Sequence, residues 1–199
     1  PDQETYTAER MLADIFPGHG FIDATVCGFS RLAYRVFNEL RSPVQDALSP
    51  LGQQIILSRI LAEHRDELQL LMKISSQPHF AENLLNLFHQ FDMFCISETA
   101  LHDASLAEEG TPLGRKLSEL SLLYKNYHDY LHTRFSYEGS LFDLLAGEIP
   151  KSEILRRSRI WIDGFNGMTP QKIRIVSALI RTAEEVTFTL PLPDAKEGL

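Results

Sequence analysis

No segment of the 199 residues reads G-x-x-x-x-G-K-[ST], so the chain has no loop of its own to cradle a nucleoside triphosphate. Cysteine is scarce. Cys27 and Cys95 offer neither metal-ligand spacing nor a disulfide framework, and both read as small buried hydrophobes in a protein of the reducing cytoplasm. No apolar run approaches the ~20 residues of a membrane span and no signal peptide heads the chain, so no membrane partner is expected. Positive charge is in deficit: 19 Lys and Arg against 27 Asp and Glu leave a net charge of -8. That balance argues against simple electrostatic binding to nucleic acid, although the placement of charge matters more than its sum. Methionine is absent from position 1, where Pro1 stands, and a piece of a longer chain is the expectation.

What is present is apolar enough for a real core, at 44% hydrophobic residues and a mean hydropathy of -0.13. The most informative stretch is Ile160-Trp161-Ile162-Asp163-Gly164-Phe165, followed by Thr169-Pro170-Gln171. Three apolar residues run into an aspartate and a glycine, and an amphipathic segment opens at a proline. A buried parallel strand that delivers one carboxylate to the edge of a P-loop nucleotidase sheet has this pattern, and such a carboxylate holds Mg²⁺ directly or through water. Read alone, an Asp at a strand end is more often a turn or N-cap residue than a metal-facing one.

Periodicity organises the rest. Residues 4–15 fit a short helix, Ala24-Thr25-Val26-Cys27 a short strand, and Leu32, Ala33, Val36, Phe37 and Leu40 a second helix. Helical spacing then continues over 51–71, 80–94, 97–108, 113–135 and 141–145. A strand over 159–163, a helix over 170–181 with Pro near its start, and an alternating strand over 185–190 close the chain. The expected fold class is therefore α/β, mostly α overall, with partial P-loop-type parallel sheet elements at both ends and a large all-helical insertion between them. The expected divisions are 1–45 and 158–199 for the α/β core and 46–157 for the insertion.

Three landmarks in order resemble the AddB/RexB subunit of bacterial ATP-dependent helicase–nucleases. They are Pro1-Asp2-Gln3-Glu4-Thr5 with Glu9 in register, Phe29-Ser30-Arg31-Leu32-Ala33-Tyr34-Arg35-Val36, and Trp161 to Phe165 followed by Met168-Thr169-Pro170-Gln171. The resemblance spans nearly the whole chain and implies a P-loop upstream of Pro1, with a nuclease domain and a cysteine-bound iron–sulfur cluster beyond Leu199. ATP and Mg²⁺ are thus implied for the full-length protein, and no cofactor for this segment. It implies a heterodimer with an AddA/RexA-like subunit, contact with single- and double-stranded DNA, and a role in recombinational repair of double-strand breaks. Within this chain it implies a surface that scans single-stranded DNA for a hotspot sequence, formed by Gln3, Thr5, Phe29, Arg31, Tyr34 and Phe165, with Asp163 near the nucleotide and Mg²⁺. The chemistry suits that task, since aromatic rings stack on bases and Arg, Gln and Thr read phosphates and base edges. Gly164 stands where motor subunits of the superfamily carry a hydrolytic Glu, which implies weak or no ATP hydrolysis here. No catalytic residue is assigned.

Each of these side chains has a plainer reading. Phe29 can be a core residue at the turn into its helix, and Tyr34 a half-buried tyrosine with a wet hydroxyl. Arg31 and Arg35 can clamp phosphate or pair with Glu39 or Asp23. His128 and His132 share a helix face at i, i+4, but lack a third ligand and read as surface residues. The basic run Lys151, Arg156, Arg157 and Arg159 can track a DNA backbone or form a solvated loop. The alternative function is an acidic helical module that docks another protein without touching DNA.

Overall fold

The computed structural model describes residues 2–15, 24–42, 48–75, 77, 79–134, 138–164 and 167–189, the side chains of 2–4 and 138–140 excepted. The described chain is mostly helical. In order it forms α1 (Asp2–Ile15), α2 (Phe29–Leu40), α3 (Pro50–Glu63), α4 (Leu71–Ile74), α5 (Phe80–Met93), α6 (Glu98–Ala107), α7 (Pro112–Arg134), α8 (Glu138–Glu148) and α9 (Glu153–Arg156). Strand β1 (Arg159–Ile162), helix α10 (Pro170–Thr182) and strand β2 (Glu185–Phe188) follow. Local chemistry sets several starts: the hydroxyls of Ser49, Ser97 and Thr169 accept from the amides of Gly52, Ala100 and Lys172. These caps satisfy amides that an α-helix cannot pair internally. Pro50 and Pro170 occupy first-turn positions, where a missing N–H costs nothing.

Two hydrophobic clusters divide the packing. The first gathers α3, α5 and α7 around Leu57, Phe88, Leu123, Tyr127 and Leu131, with Leu101 of α6 and Leu71 of α4 closing its flanks. Its centre is aromatic: Phe88 lies edge-on to Tyr124 at a centroid distance of 5.1 Å, with Tyr127 at 5.6 Å. Both buried hydroxyls are used. Tyr127 donates to Gln53 Oε1 at 3.0 Å and Tyr124 to Asp92 Oδ1 at 2.6 Å. Burial drives the phenol pKa of each tyrosine upward, so both remain donors. Asp92, 8% exposed, also sits 3.0 Å from His128 Nε2. His128 is therefore a partly buried partner of a carboxylate rather than a surface residue, whereas His132 is exposed.

The second cluster joins Ala33, Val36 and Phe37 of α2 to Leu141 and Leu145 of α8, Ile149, Leu155, Ile162 of β1, and Ile175, Val176 and Leu179 of α10. Helices α8 and α9 thus pack with α2, β1 and α10 in this second cluster. The strands β1 and β2 are parallel, with Ile160 beside Val186, and α10 makes the crossover.

Three expectations need correction. Sheet elements at both ends are not found: among the described residues the sheet has two strands, both after residue 158. Residues 24–28 run without secondary structure, because no described strand lies beside them to complete a ladder. The strand at 159–162 is not buried throughout: Ile162 is, but Trp161 is 69% exposed, since one sheet face carries no layer over it among the described residues. A continuous helix over 51–71 is also broken, by a 3-10 turn at Arg65–Glu67. The cause is distant: Glu119 of α7 takes the amides of Gln69, Leu70 and Leu71 at 2.8, 2.9 and 2.8 Å, so they do not bond back along a helix.

The turn between α6 and α7 is as tightly specified. A Cβ on Gly114 would stand 2.1 Å from the Glu108 carbonyl oxygen. Replacing Gly114 with Ala should cost about 1–3 kcal/mol by overpacking backbone on backbone. Replacing Glu119 with Ala should cost about 3 kcal/mol, because buried amides lose their acceptor. Chemical denaturation of each variant checks both, and an unchanged midpoint for Glu119→Ala would refute the role given to that carboxylate.

Candidate nucleic-acid interface

Helix α2 is built with two faces. Ala33, Val36 and Phe37 are buried in the second core, which turns Arg31, Tyr34 and Arg35 outward at i, i+3 and i+4 spacing. Tyr34 is 43% exposed, so a ring face is open to solvent. Across from it lies α1, tied by an ion pair of 3.6 Å between Arg31 Nη1 and Glu9 Oε1. Glu9 is thus the carboxylate that pairs with Arg31 among the described residues, while Asp23 lies outside them. Both partners are largely exposed, so the pair orients Arg31 without consuming its charge.

The other expected residues divide. Phe29, at the start of α2, is half-buried and lies edge-on to Phe142 of α8 at 6.4 Å, which favours a packing role at the rim of the core. Thr5 lies half-buried on α1. Gln3 is placed in the first turn of α1 by its backbone, while its side chain lies outside the described residues, as does all of Phe165. Cys27, just before α2, has its thiol pKa raised by burial, offset in part by Arg35 and Arg31 nearby. The structure therefore brings Arg31, Tyr34 and Arg35 together beside α1.

Asp163 follows β1 and is exposed. Its Oδ1 accepts from the Thr189 hydroxyl at 2.6 Å and the Gly164 N–H at 2.8 Å, and these bonds hold its carboxyl below the usual range. Gly164 has φ of 76°, a conformation that suits glycine. The carboxylate thus ties the end of β1 to the residue after β2. No group of three or more metal-ligating side chains occurs among the described residues, so one carboxylate already engaged by two donors is an insufficient site for Mg²⁺ by itself. Nor do two cysteines, in separate loops, supply the four thiolates of an iron–sulfur cluster. The basic run is partly neutralised: Lys151 pairs with Glu148 at 2.6 Å, Arg156 with Glu153 at 2.5 Å, and Arg159 with Glu184 at 3.2 Å.

Residues 1–198 match the family described as "ADDB, N-terminal", and the chain belongs to that family. It is 37% identical over 194 residues to the B subunit of the ATP-dependent helicase/deoxyribonuclease of Pelotomaculum thermopropionicum, a match covering 96% of this chain and 17% of that protein. The proteins of the same name from Moorella thermoacetica and Heliobacterium modesticaldum are 33% and 34% identical, each over 96% of this chain and 17% and 16% of their own lengths. The chain therefore spans about one-sixth of the curated relatives it matches.

The far end of α2 is anchored by a contact that no local pattern announces. Glu39 reaches Ser152 Oγ at 2.5 Å and the Ile154 amide at 2.9 Å, at the start of α9. Burial pushes its carboxyl up, but the Ser152 hydroxyl and the amides of Ile154 and Glu153 outweigh it, leaving the pKa below the ordinary 4.5. A depressed acid contributes stability above its unfolded pKa and loses it as pH falls through the folded value. Glu39→Gln should therefore be less stable by about 1 kcal/mol near neutrality, with the difference shrinking once pH falls below 4.5. Urea melts of both proteins across that range test this, and a pH-independent difference would contradict it.

Proposed function

We propose that this chain is a segment of the B subunit of an ATP-dependent helicase/deoxyribonuclease, and that it provides scaffold and part of the surface that scans single-stranded DNA. Family membership supports the general role. The observation that carries the scanning role is the outward face of α2, where Arg31, Tyr34 and Arg35 stand exposed beside α1 while the opposite face is locked in the core. A guanidinium meets phosphate or a base edge, and an exposed ring receives a base at roughly 1–3 kcal/mol. Phe29, at the helix start, supports that face from the core, and Gln3, Thr5 and Phe165 complete the proposed surface.

In the full-length protein the segment belongs to a P-loop-type core in which β1, α10 and β2 form one strand–helix–strand unit. ATP and Mg²⁺ bind there through groups supplied from elsewhere in the protein, with Asp163 nearby, and the iron–sulfur cluster belongs to another region. The protein works as a cytoplasmic heterodimer with a helicase–nuclease subunit. It guides a DNA strand toward nuclease chemistry in recombinational repair of double-strand breaks. No catalytic step is assigned to this segment.

The test uses the full-length complex. Tyr34→Ala and Arg31→Ala should weaken the response to the hotspot sequence about tenfold or more, as the loss of one stacked base or one charged contact allows, and leave bulk unwinding within about twofold. Tyr34 is the cleaner probe, because Phe29→Ala would also remove core packing. Equal loss of both activities, or of neither, would refute the assignment.

A further inference from the structure

An open groove of about 770 Å³ lies on the second core, away from the exposed face of α2 in sequence and in element. We infer that this groove docks an acidic segment of the partner subunit, one that carries apolar side chains between its carboxylates. Its walls bear Arg156 of α9 and Arg174 and Arg181 of α10, and its floor is formed by Ala146, Ser177 and Ala178. Among the described residues no acidic side chain lines it. In a chain with a net charge of -8, three guanidinium groups around one depression mark a site for negative charge.

The three arginines are differently committed. Arg156 is held by Glu153 at 2.5 Å and by the Pro150 carbonyl at 3.1 Å, so it forms a fixed rim. Arg174 has a long pair of 3.9 Å with Asp143, and both side chains are mostly exposed. Arg181 has no recorded partner among the described residues. Arg174 and Arg181 are seven positions apart on one face of α10, hence about 10 Å along its axis. Between them Ser177 and Ala178 leave room for an approaching backbone, and Ile173 adds exposed apolar surface that water does not reward.

Two anionic occupants fit three arginines, and the rest of the lining separates them. Single-stranded nucleic acid is gripped by stacking its bases on aromatic rings, and no described aromatic side chain lines the groove. Isoleucine, alanine and proline instead match the apolar side of an amphipathic protein segment whose carboxylates reach the arginine forks. The inference rests on the proposal that a second subunit is present.

The test measures association of the purified partner subunit with the full-length protein and with its Arg181→Glu, Arg174→Glu/Arg181→Glu and Ala178→Trp variants. Calorimetry is run at low and high salt, beside thermal melts. Charge reversal should weaken association about tenfold or more and flatten its salt dependence, and Ala178→Trp should weaken it without that flattening. Melting temperatures of the arginine variants should stay close to the wild type, because Arg174 and Arg181 are exposed; Ala178 packs against the second core, so the affinity of Ala178→Trp is read beside its own melt. Unchanged affinity for the subunit overturns the inference. So does loss of binding to a 20-nucleotide oligothymidylate with subunit association intact, which would make the groove a nucleic-acid site. A wild-type protein that fails to bind the subunit at all would overturn the proposed function as well, whereas failure of the variants alone to differ would overturn only the groove.

Discussion

The carboxylate of Glu119 is the constraint on which the first core depends. It arrives from the middle of α7, is 7% exposed, and accepts from three successive amides at the start of α4. An unpaired carboxylate in that position would be prohibitively costly, and so would three buried amides without an acceptor. Each therefore requires the other, and their meeting fixes where α3 ends, where the chain turns and where Leu68 and Leu71 enter the core. A helix terminus also presents partial positive charge, which a carboxylate complements. With that corner set, α5 lies along α3 and α7, and its Phe88 fills the space the three helices enclose.

The second core performs a different task. It holds α2 by three buried side chains on one face and by Glu39 at the far end, so the opposite face is presented in one orientation. Rigid presentation matters for recognition, because side chains ordered before binding lose less entropy when they meet a ligand. The two cores adjoin where α5 meets α8 and α10. There Asp92 engages Tyr124 and His128, and half-exposed Asp143, its carboxyl pKa raised by partial desolvation against the neighbouring helices, hydrogen-bonds to Gln171 and sits near Arg174. Polar groups at such a junction specify register where a plain hydrophobic contact would allow sliding.

The parts of this architecture that were legible in the sequence are those governed by neighbours in the chain. The stripe of Leu117, Leu120, Leu123, Tyr124, Tyr127 and Leu131 marks α7, and Thr169-Pro170 marks the start of α10. The same spacing rule separates Ala33, Val36 and Phe37 from Arg31 and Tyr34, so the two faces of α2 were readable too. The misreadings have distant causes. Residues 24–27 have strand composition but no described neighbouring strand, and the break after Glu63 is imposed by a side chain about 50 positions away. Trp161 sits in an apolar run yet faces outward, because burial depends on what covers the sheet. Arg31's pairing with Glu9 and Glu39's with Ser152 likewise follow from tertiary packing, which periodicity does not encode.

Glu39 and Ser152 are separated by 113 positions, and the whole first core lies between them. Closing a loop of that length costs about 4 kcal/mol of chain entropy unless the intervening residues are already compact. During synthesis α2 emerges first and waits on the order of ten seconds for α8 to α10, with Val36 and Phe37 uncovered. The intervening helices are contiguous and contain everything their own cluster needs, so they condense in that interval and bring the two ends of the chain within reach. The helices of the first core thus act as a built-in spacer that collapses on schedule, and α2 is seated only by the last part of the segment to be made.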